Sequence, residues 1–166
     1  MPEKFKQIST TNGFMKHNGG LLFRTISENE YEFKTTIKEN HLNAAGITHG
    51  GFISAIVDAG AGTAAHRSAD NCPCVTISLE LKFISAVQQG QELLGKTKIQ
   101  KKTKTLIFLT CELLTENKIV ATASGIWKIR RKLPGAGPGG WFINLAFFYN
   151  LNSQNWIKII KQKDKL

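Results

Sequence analysis

The stretch from Asn43 to Ala65 constrains the fold more than any other part of this chain. After a polar, glycine-containing opening, it becomes an apolar helical pattern with a single acidic residue, Asp58. Its apolar positions recur at i, i+3 and i+4 spacing, which predicts a helix over residues 50–66 with one buried stripe: Ile53, Ile56, Val57, Gly60, Ala61 and Ala64. Glycine inside a helix costs about 0.5–1 kcal/mol relative to alanine. Gly60 and Gly62 therefore predict that another element, such as a wrapped sheet, packs very close to this helix.

The segments on both sides of the helix are typical of strands. They alternate apolar and polar residues or form short apolar runs between turn residues, at residues 21–26, 30–38, 75–83, 92–100, 105–114 and 118–130. The predicted order is two strands, one long helix, then an antiparallel meander of four strands. This order indicates an α+β fold and excludes βαβ alternation.

Length and composition are consistent with one domain. A chain of 166 residues can bury a substantial core, and its apolar share of 42% is ordinary for a globular protein. No stretch contains the run of about 20 consecutive apolar residues that a helix needs to span a bilayer. The first residues lack the apolar centre of a secretory signal, so we expect a cytoplasmic protein.

The three cysteines, Cys72, Cys74 and Cys111, do not form a recognisable framework. Their odd number argues against a secreted disulfide scaffold. The single residue between Cys72 and Cys74 does not match a zinc knuckle, and there is no second ligand pair. We therefore expect buried or loop thiols and no metal site.

The start of the helix offers a site for an anion or a polarised carbonyl. The first amides of a helix lack intrahelical partners and lie at the positive end of its dipole. Gly50 and Gly51 leave those amides open to a ligand, while His49 and Asn43 add polar side chains. The same residues are also compatible with a simple capped turn, because helix N-termini commonly recruit polar residues and glycine.

Asp58 favours the chemical interpretation. A carboxylate among small apolar residues is costly unless it is paired or used, and it can serve as a general base or as a nucleophile. His49 and Asp58 are nine residues apart, which is about 13 Å along one helix. If both are catalytic, the site is built most simply across a two-fold axis, with Asp58 of one subunit facing the helix start of another.

These residues resemble a known family. Asn43, Gly46, His49-Gly50-Gly51 and Asp58, followed by the strand CVTISLELKFISA, are similar to the hotdog-fold acyl-CoA thioesterases, in particular the phenylacetate-degradation and thioesterase-superfamily-member-2 group. The resemblance covers residues 14–131. It implies a hotdog fold, in which an antiparallel sheet wraps a long central helix, and dimers that often form tetramers. It also implies hydrolysis of a thioester to a free acid and coenzyme A, with no cofactor besides the coenzyme A of the substrate.

The resemblance also implies residue roles. The Gly50 amide would polarise the thioester carbonyl, and Asn43 and His49 would position the thioester and the attacking group. Asp58 of the neighbouring subunit would activate water or attack directly. Thr76 stands where the family has a small hydroxyl residue, and it would orient the water.

The basic excess has several interpretations. A formal net charge of +10 can indicate binding to nucleic acid, to an anionic membrane surface or to a phosphorylated ligand. No basic helix or aromatic-interleaved motif supports nucleic acid. By resemblance, the family's nucleotide-binding turn coincides with Lys101, Lys102, Thr103, Lys104 and Thr105. Phe83 would flank the adenine or pantetheine, and Lys128, Arg130 and Arg131 could add charge. A solvated hairpin explains the lysines equally well.

The predicted domain layout has three parts. Residues 1–132 form the hotdog domain, with residues 1–18 as a helical lead-in. Residues 133–140 are a Pro/Gly linker, and residues 141–166 an aromatic and basic tail that departs from the family. Packing or disorder of the tail is expected ahead of membrane contact, and a shifted reading frame would also explain the abrupt change. The rival functions are a non-catalytic acyl-CoA or ligand-binding hotdog protein and a membrane-surface protein that binds through the tail.

Overall fold

A computed structural model of the protein describes residues 2–130. The predicted linker at 133–140 and the tail at 141–166 lie outside these residues. The elements follow the chain as β1 (Lys6–Ile8), α1 (Phe14–His17), β2 (Leu21–Thr25), β3 (Glu30–Thr36), α2 (Gly50–Ser68), β4 (Cys74–Phe83), β5 (Glu92–Lys102), β6 (Leu106–Thr115) and β7 (Lys118–Ile129). A short 3-10 turn, Glu39–His41, precedes α2. The predicted helix and the six predicted strands are all present, with ends that differ by a few residues.

The strands form one antiparallel sheet in the order β1-β2-β3-β5-β6-β7-β4. The predicted four-strand meander is therefore wrong in one respect. β5, β6 and β7 do follow one another, but β4 pairs with β7 at the edge, and β5 pairs with β3 instead. The α+β hotdog architecture is confirmed, because α2 packs against the inner face of this sheet and contacts β2 to β7.

The predicted lead-in contains less helix than expected. Residues 14–17 form a single helical turn, whereas Lys6–Ile8 form an edge strand that pairs antiparallel with β2. The lead-in therefore extends the sheet.

The Phe33 ring explains why α2 contains Gly60. The ring lies between Gly60 on α2 and Gly95 on β5, and a Cβ atom at either glycine would overlap it. Phe33 itself is 1% exposed. The close approach predicted from Gly60 is thus confirmed, and its partner is an aromatic ring of β3. The approach at Gly62 is looser, since a Cβ there would meet Trp127 Nε1 at 3.4 Å.

We expect the two helix glycines to respond in opposite directions to alanine. Alanine gains about 1 kcal/mol of helix propensity over glycine, but overpacking a filled core costs about 1–3 kcal/mol or more. Gly60→Ala should therefore lower the free energy of unfolding, whereas Gly62→Ala should leave it unchanged or raise it. Urea denaturation of both variants measures the difference. A Gly60→Ala protein as stable as Gly62→Ala would contradict the tight packing of the Phe33 ring against Gly60.

No helix within residues 2–130 has the length and apolarity needed to cross a bilayer.

Candidate active site

The loop before α2 is held by Asn43. Its side-chain oxygen accepts hydrogen bonds from the amides of Ala45 (2.9 Å) and Ile47 (3.4 Å). Gly46, at φ 76°, closes the turn, and a single antiparallel bridge joins Leu42 to Thr48. Because the loop uses the Asn43 oxygen, the side-chain NH₂ is the group that remains for a ligand.

His49 caps the N-terminus of α2. Its Nδ1 atom accepts a hydrogen bond from the Gly51 amide at 2.8 Å, while its backbone remains extended. In the neutral imidazole the proton is then on Nε2. The exposed edge of His49 therefore presents a hydrogen-bond donor.

The Gly50 amide is the second donor at this helix end. Within the described residues it has no hydrogen-bond partner, whereas the next amide is satisfied by His49. The Phe83 ring lies close by, 3.6 Å from where a Gly50 Cβ atom would be, and Phe83 is 56% exposed. The helix dipole and an open amide beside an exposed aromatic ring make this end suitable for a carbonyl that becomes an oxyanion.

Asp58 lies on the exposed side of α2, and this corrects the expectation of an apolar environment around it. The Thr76 hydroxyl donates a hydrogen bond of 2.7 Å to Asp58 Oδ1. One carboxylate oxygen is thus held in place, and the other is available to a reactant. Thr76, which was predicted to orient the water, therefore lies beside Asp58.

A β-bulge in β4 aims Thr76 at Asp58. Thr76 pairs with Trp127 and Ser78 pairs with Ile126, so Ile77 is the extra residue. In an unbroken strand, Ile77 would share the inner face with Leu79, and Thr76 would point outward. The bulge places Thr76 on the face of buried Trp127 and leaves Ile77 56% exposed. The regular alternation predicted for this strand is therefore broken at the position that turns the Thr76 hydroxyl toward Asp58.

The chain is similar to known proteins in the sequence around this site and in its fold. The family model of the thioesterase superfamily matches residues 45–122, which include the helix start, Asp58 and Thr76. Over these residues the chain is similar to the thioesterase superfamily. Asn43 lies two positions before the matched residues, in the loop that leads to α2.

The individual proteins to which the chain is similar are distant in sequence. A Pseudomonas aeruginosa protein named "Putative esterase" is 28% identical over 130 residues, covering 78% of this chain and 97% of its own. Acyl-coenzyme A thioesterase 13 of Homo sapiens is 22% identical over 121 residues, covering 72% and 86%. The crystal structure of zebra fish thioesterase superfamily member 2 aligns with a TM-score of 0.67 at 21% identity, covering 74% and 90%.

The predicted nucleotide-binding turn lies at the other end of α2, away from Gly50. Lys102 Nζ donates a hydrogen bond of 2.7 Å to the Ser68 carbonyl and so caps the C-terminus of the helix. The Thr103 hydroxyl accepts from the Leu106 amide at 2.9 Å and shapes the turn. Within one chain, Lys101 to Thr105 are therefore not gathered with Gly50, and their role toward coenzyme A stays a prediction.

The cysteines are free thiols. Burial raises the pKa of Cys111 to about 12 and the pKa of Cys74 to about 11. Both thiols are therefore protonated at neutral pH and unsuited to act as nucleophiles. In the part of the chain that the structure describes, no group of three or more histidine, cysteine, aspartate or glutamate residues could hold a metal ion.

The sequence interpretation missed His41 as well as the bulge. His41 is 2% exposed and stacks on Phe52, a residue in the first turn of α2. A histidine in a polar loop gives no periodic signal of burial.

Proposed function

We propose that this protein is an acyl-CoA thioesterase that releases a free acid and coenzyme A from a site built by two chains. The observation that carries the proposal is the exposed Asp58–Thr76 pair, in which Asp58 belongs to the same helix whose N-terminus presents the Gly50 amide. Similarity to the thioesterase superfamily over residues 45–122 supports thioester hydrolysis. Similarity to a protein named acyl-coenzyme A thioesterase 13 supports the substrate class.

The helix start would bind the thioester carbonyl. Gly50 N–H and His49 Nε2–H are both donors, and charge that develops on the carbonyl oxygen is stabilised by such fixed donors and by the helix dipole. Asn43 NH₂ is a third donor that can hold the acyl or pantetheine part of the substrate. A neutral His49 that donates through Nε2 positions the carbonyl and leaves the role of base to another group.

Asp58 would supply that base or a nucleophile. As a base, it takes a proton from water while the water oxygen attacks the carbonyl carbon, and the tetrahedral intermediate expels the coenzyme A thiolate, which is then protonated. As a nucleophile, it forms an acyl-aspartyl anhydride that water hydrolyses. Thr76 fixes the carboxylate in either route. In ¹⁸O water, label can enter Asp58 only by the second route, and it does so when water attacks the aspartyl carbon of the anhydride and releases the acyl group as the free acid.

The edge of the sheet supports a site that needs a second copy of the chain. β4 is ten residues long and pairs only with β7, so its other edge has unpaired backbone groups in the described structure. Ile77, Phe83 and Ile84 are each 56% exposed along it. A long apolar edge strand favours pairing with another strand. β4 also contacts both parts of the proposed site, through Thr76 at Asp58 and through Phe83 at Gly50.

Coenzyme A would use the remaining predicted contacts. Phe83 lies beside the carbonyl site, so it would contact the thioester or pantetheine end. Lys101 and Lys104 are exposed and could reach the phosphates, whereas Lys102 is held by the helix end.

A turnover panel tests the proposal. We expect the purified full-length protein to release coenzyme A from at least one of a short-chain, a long-chain and an aryl acyl-CoA, measured by the appearance of free thiol. Heat-denatured protein is the blank. Tight binding of the panel without thiol release would instead support a non-catalytic acyl-CoA-binding protein.

A further inference from the structure

His41 is a buried side chain that contacts three segments leading to the site. Its Nδ1 atom accepts a hydrogen bond from the Lys38 amide at 3.0 Å, beyond the end of β3. Its other ring nitrogen lies 3.1 Å from the Asn18 carbonyl, which follows α1. Its ring stacks on Phe52 with centroids 3.7 Å apart and planes 15° apart. With 2% of its surface exposed, His41 is part of the packed structure.

These contacts fix the protonation state of the ring. Because Nδ1 accepts from Lys38, the neutral ring has its proton on Nε2 and donates it to Asn18. A second proton on Nδ1 would point at the Lys38 N–H. Burial lowers the pKa of His41, and the nearby Lys38 ammonium acts in the same direction, whereas the Asn18 carbonyl opposes them.

The backbone of His41 connects this anchor to the catalytic end of α2. The His41 carbonyl accepts a hydrogen bond from the His49 amide at 2.8 Å. His49 is the residue that caps α2 and precedes the Gly50 amide. The chain between them is closed by the Leu42–Thr48 bridge, so the loop is attached at both ends.

We propose that His41 is a positioning residue that holds His49 and the Gly50 amide in register for the thioester carbonyl. The ring fixes the first turn of α2 through Phe52, and the carbonyl fixes the cap through His49. The activity part of this inference rests on the proposed function, whereas the placement of the loop does not.

Three variants test the inference. His41→Phe keeps a stacked ring but loses both ring hydrogen bonds, and His41→Gln keeps polar groups but loses the stack. His66→Gln is the matched control, because the His66 ring contacts a backbone carbonyl, that of Cys72 (2.8 Å), near the opposite end of α2. Hydrogen exchange of the 42–53 peptide and steady-state kinetics are measured on the full chain.

We expect both His41 variants to raise exchange at the His49 and Gly51 amides at least tenfold, with the amides of β6 unchanged. kcat should fall at least tenfold with little change in KM, since the donors meet the carbonyl chiefly in the transition state. His66→Gln should change neither quantity. Unchanged exchange in both His41 variants would overturn the inference, as would a uniform loss of protection with normal kcat. If the wild-type protein hydrolyses no thioester, the proposed function fails but the exchange result still decides the placement.

A pH series provides a further check. A lowered folded pKa means that the unfolded loop takes up a proton first, so the attachment is complete above the ordinary histidine pKa of about 6.5 and weakens as the pH falls below it. After correction for intrinsic exchange, the wild-type His49 amide should lose protection on acidification, whereas His41→Phe should show no such dependence. A wild-type profile parallel to that of His41→Phe would contradict the role of the ring.

Discussion

Replacing Asp58 with asparagine should lower kcat for thioester hydrolysis by roughly 10²–10⁴-fold, the usual contribution of a positioned acid or base. Asparagine has the same shape, and its oxygen can still accept the Thr76 hydrogen bond, but it can neither take a proton at neutral pH nor attack efficiently. Because Asp58 is exposed in the chain, the free energy of unfolding should change by about 0.5 kcal/mol or less. Release of free thiol measures the rate, and thermal unfolding the stability.

Asp70→Asn is the matched control for this result. Asp70 is an exposed acid just beyond the C-terminus of the same helix, at φ 55°, a conformation that asparagine tolerates well. It should therefore retain both activity and stability. If Asp58→Asn retained more than about a tenth of wild-type kcat, the loss would be smaller than the removal of a catalytic base or nucleophile produces. That result would contradict the role proposed for Asp58.

Mixing two inactive variants should restore activity if each site uses two chains. Gly50→Pro removes the proposed carbonyl-binding N–H at the first helical position, where proline is tolerated. His49, with φ −64° and ψ 130°, already has the extended backbone that precedes proline comfortably. Alone, Gly50→Pro and Asp58→Asn should each be nearly inactive. After unfolding and refolding together, they should recover about one quarter of wild-type activity, because half of random dimers are mixed and each has one intact site.

Gly50→Ala is the control for the proline ring. It keeps the N–H and adds a methyl group at an ordinary distance of 3.6 Å from Phe83, so it should remain active. Mixed dimers that form but show no recovery would place Asp58 and Gly50 of one chain in the same site and refute the two-chain arrangement.

Periodicity and glycine placement were enough to predict most of the fold. The apolar stripe of α2 is buried as expected, and Gly60 indicated a close neighbour that proved to be Phe33. Strand order was harder, because alternation shows that a segment is a strand but not which strand it pairs with. β4 therefore seemed to continue into β5, although it pairs with β7.

The site was partly predictable for a different reason. His49, Gly50 and Asp58 could be proposed as site residues because each is chemically unusual in its local sequence. The Thr76 assignment came only from family resemblance. The bulge at Ile77 that turns Thr76 toward Asp58 has no sequence signature, since Val, Ile and Leu alternate straight through it. His41 was missed because its role depends on three segments that are distant in sequence from one another.

The packing of the Phe33 ring against Gly60 also fixes the direction in which Asp58 points. Asp58 precedes Gly60 by two residues, which is about 200° around the helix axis. With the Phe33 ring of β3 seated against Gly60, α2 cannot roll about its axis, and the carboxylate faces β4 at the opposite end of the sheet order. A roll by a single residue, about 100°, would turn the carboxylate away from Thr76. The orientation of the Asp58 carboxylate is thus set by an aromatic ring in the core, which packs against Gly60 on another side of the helix.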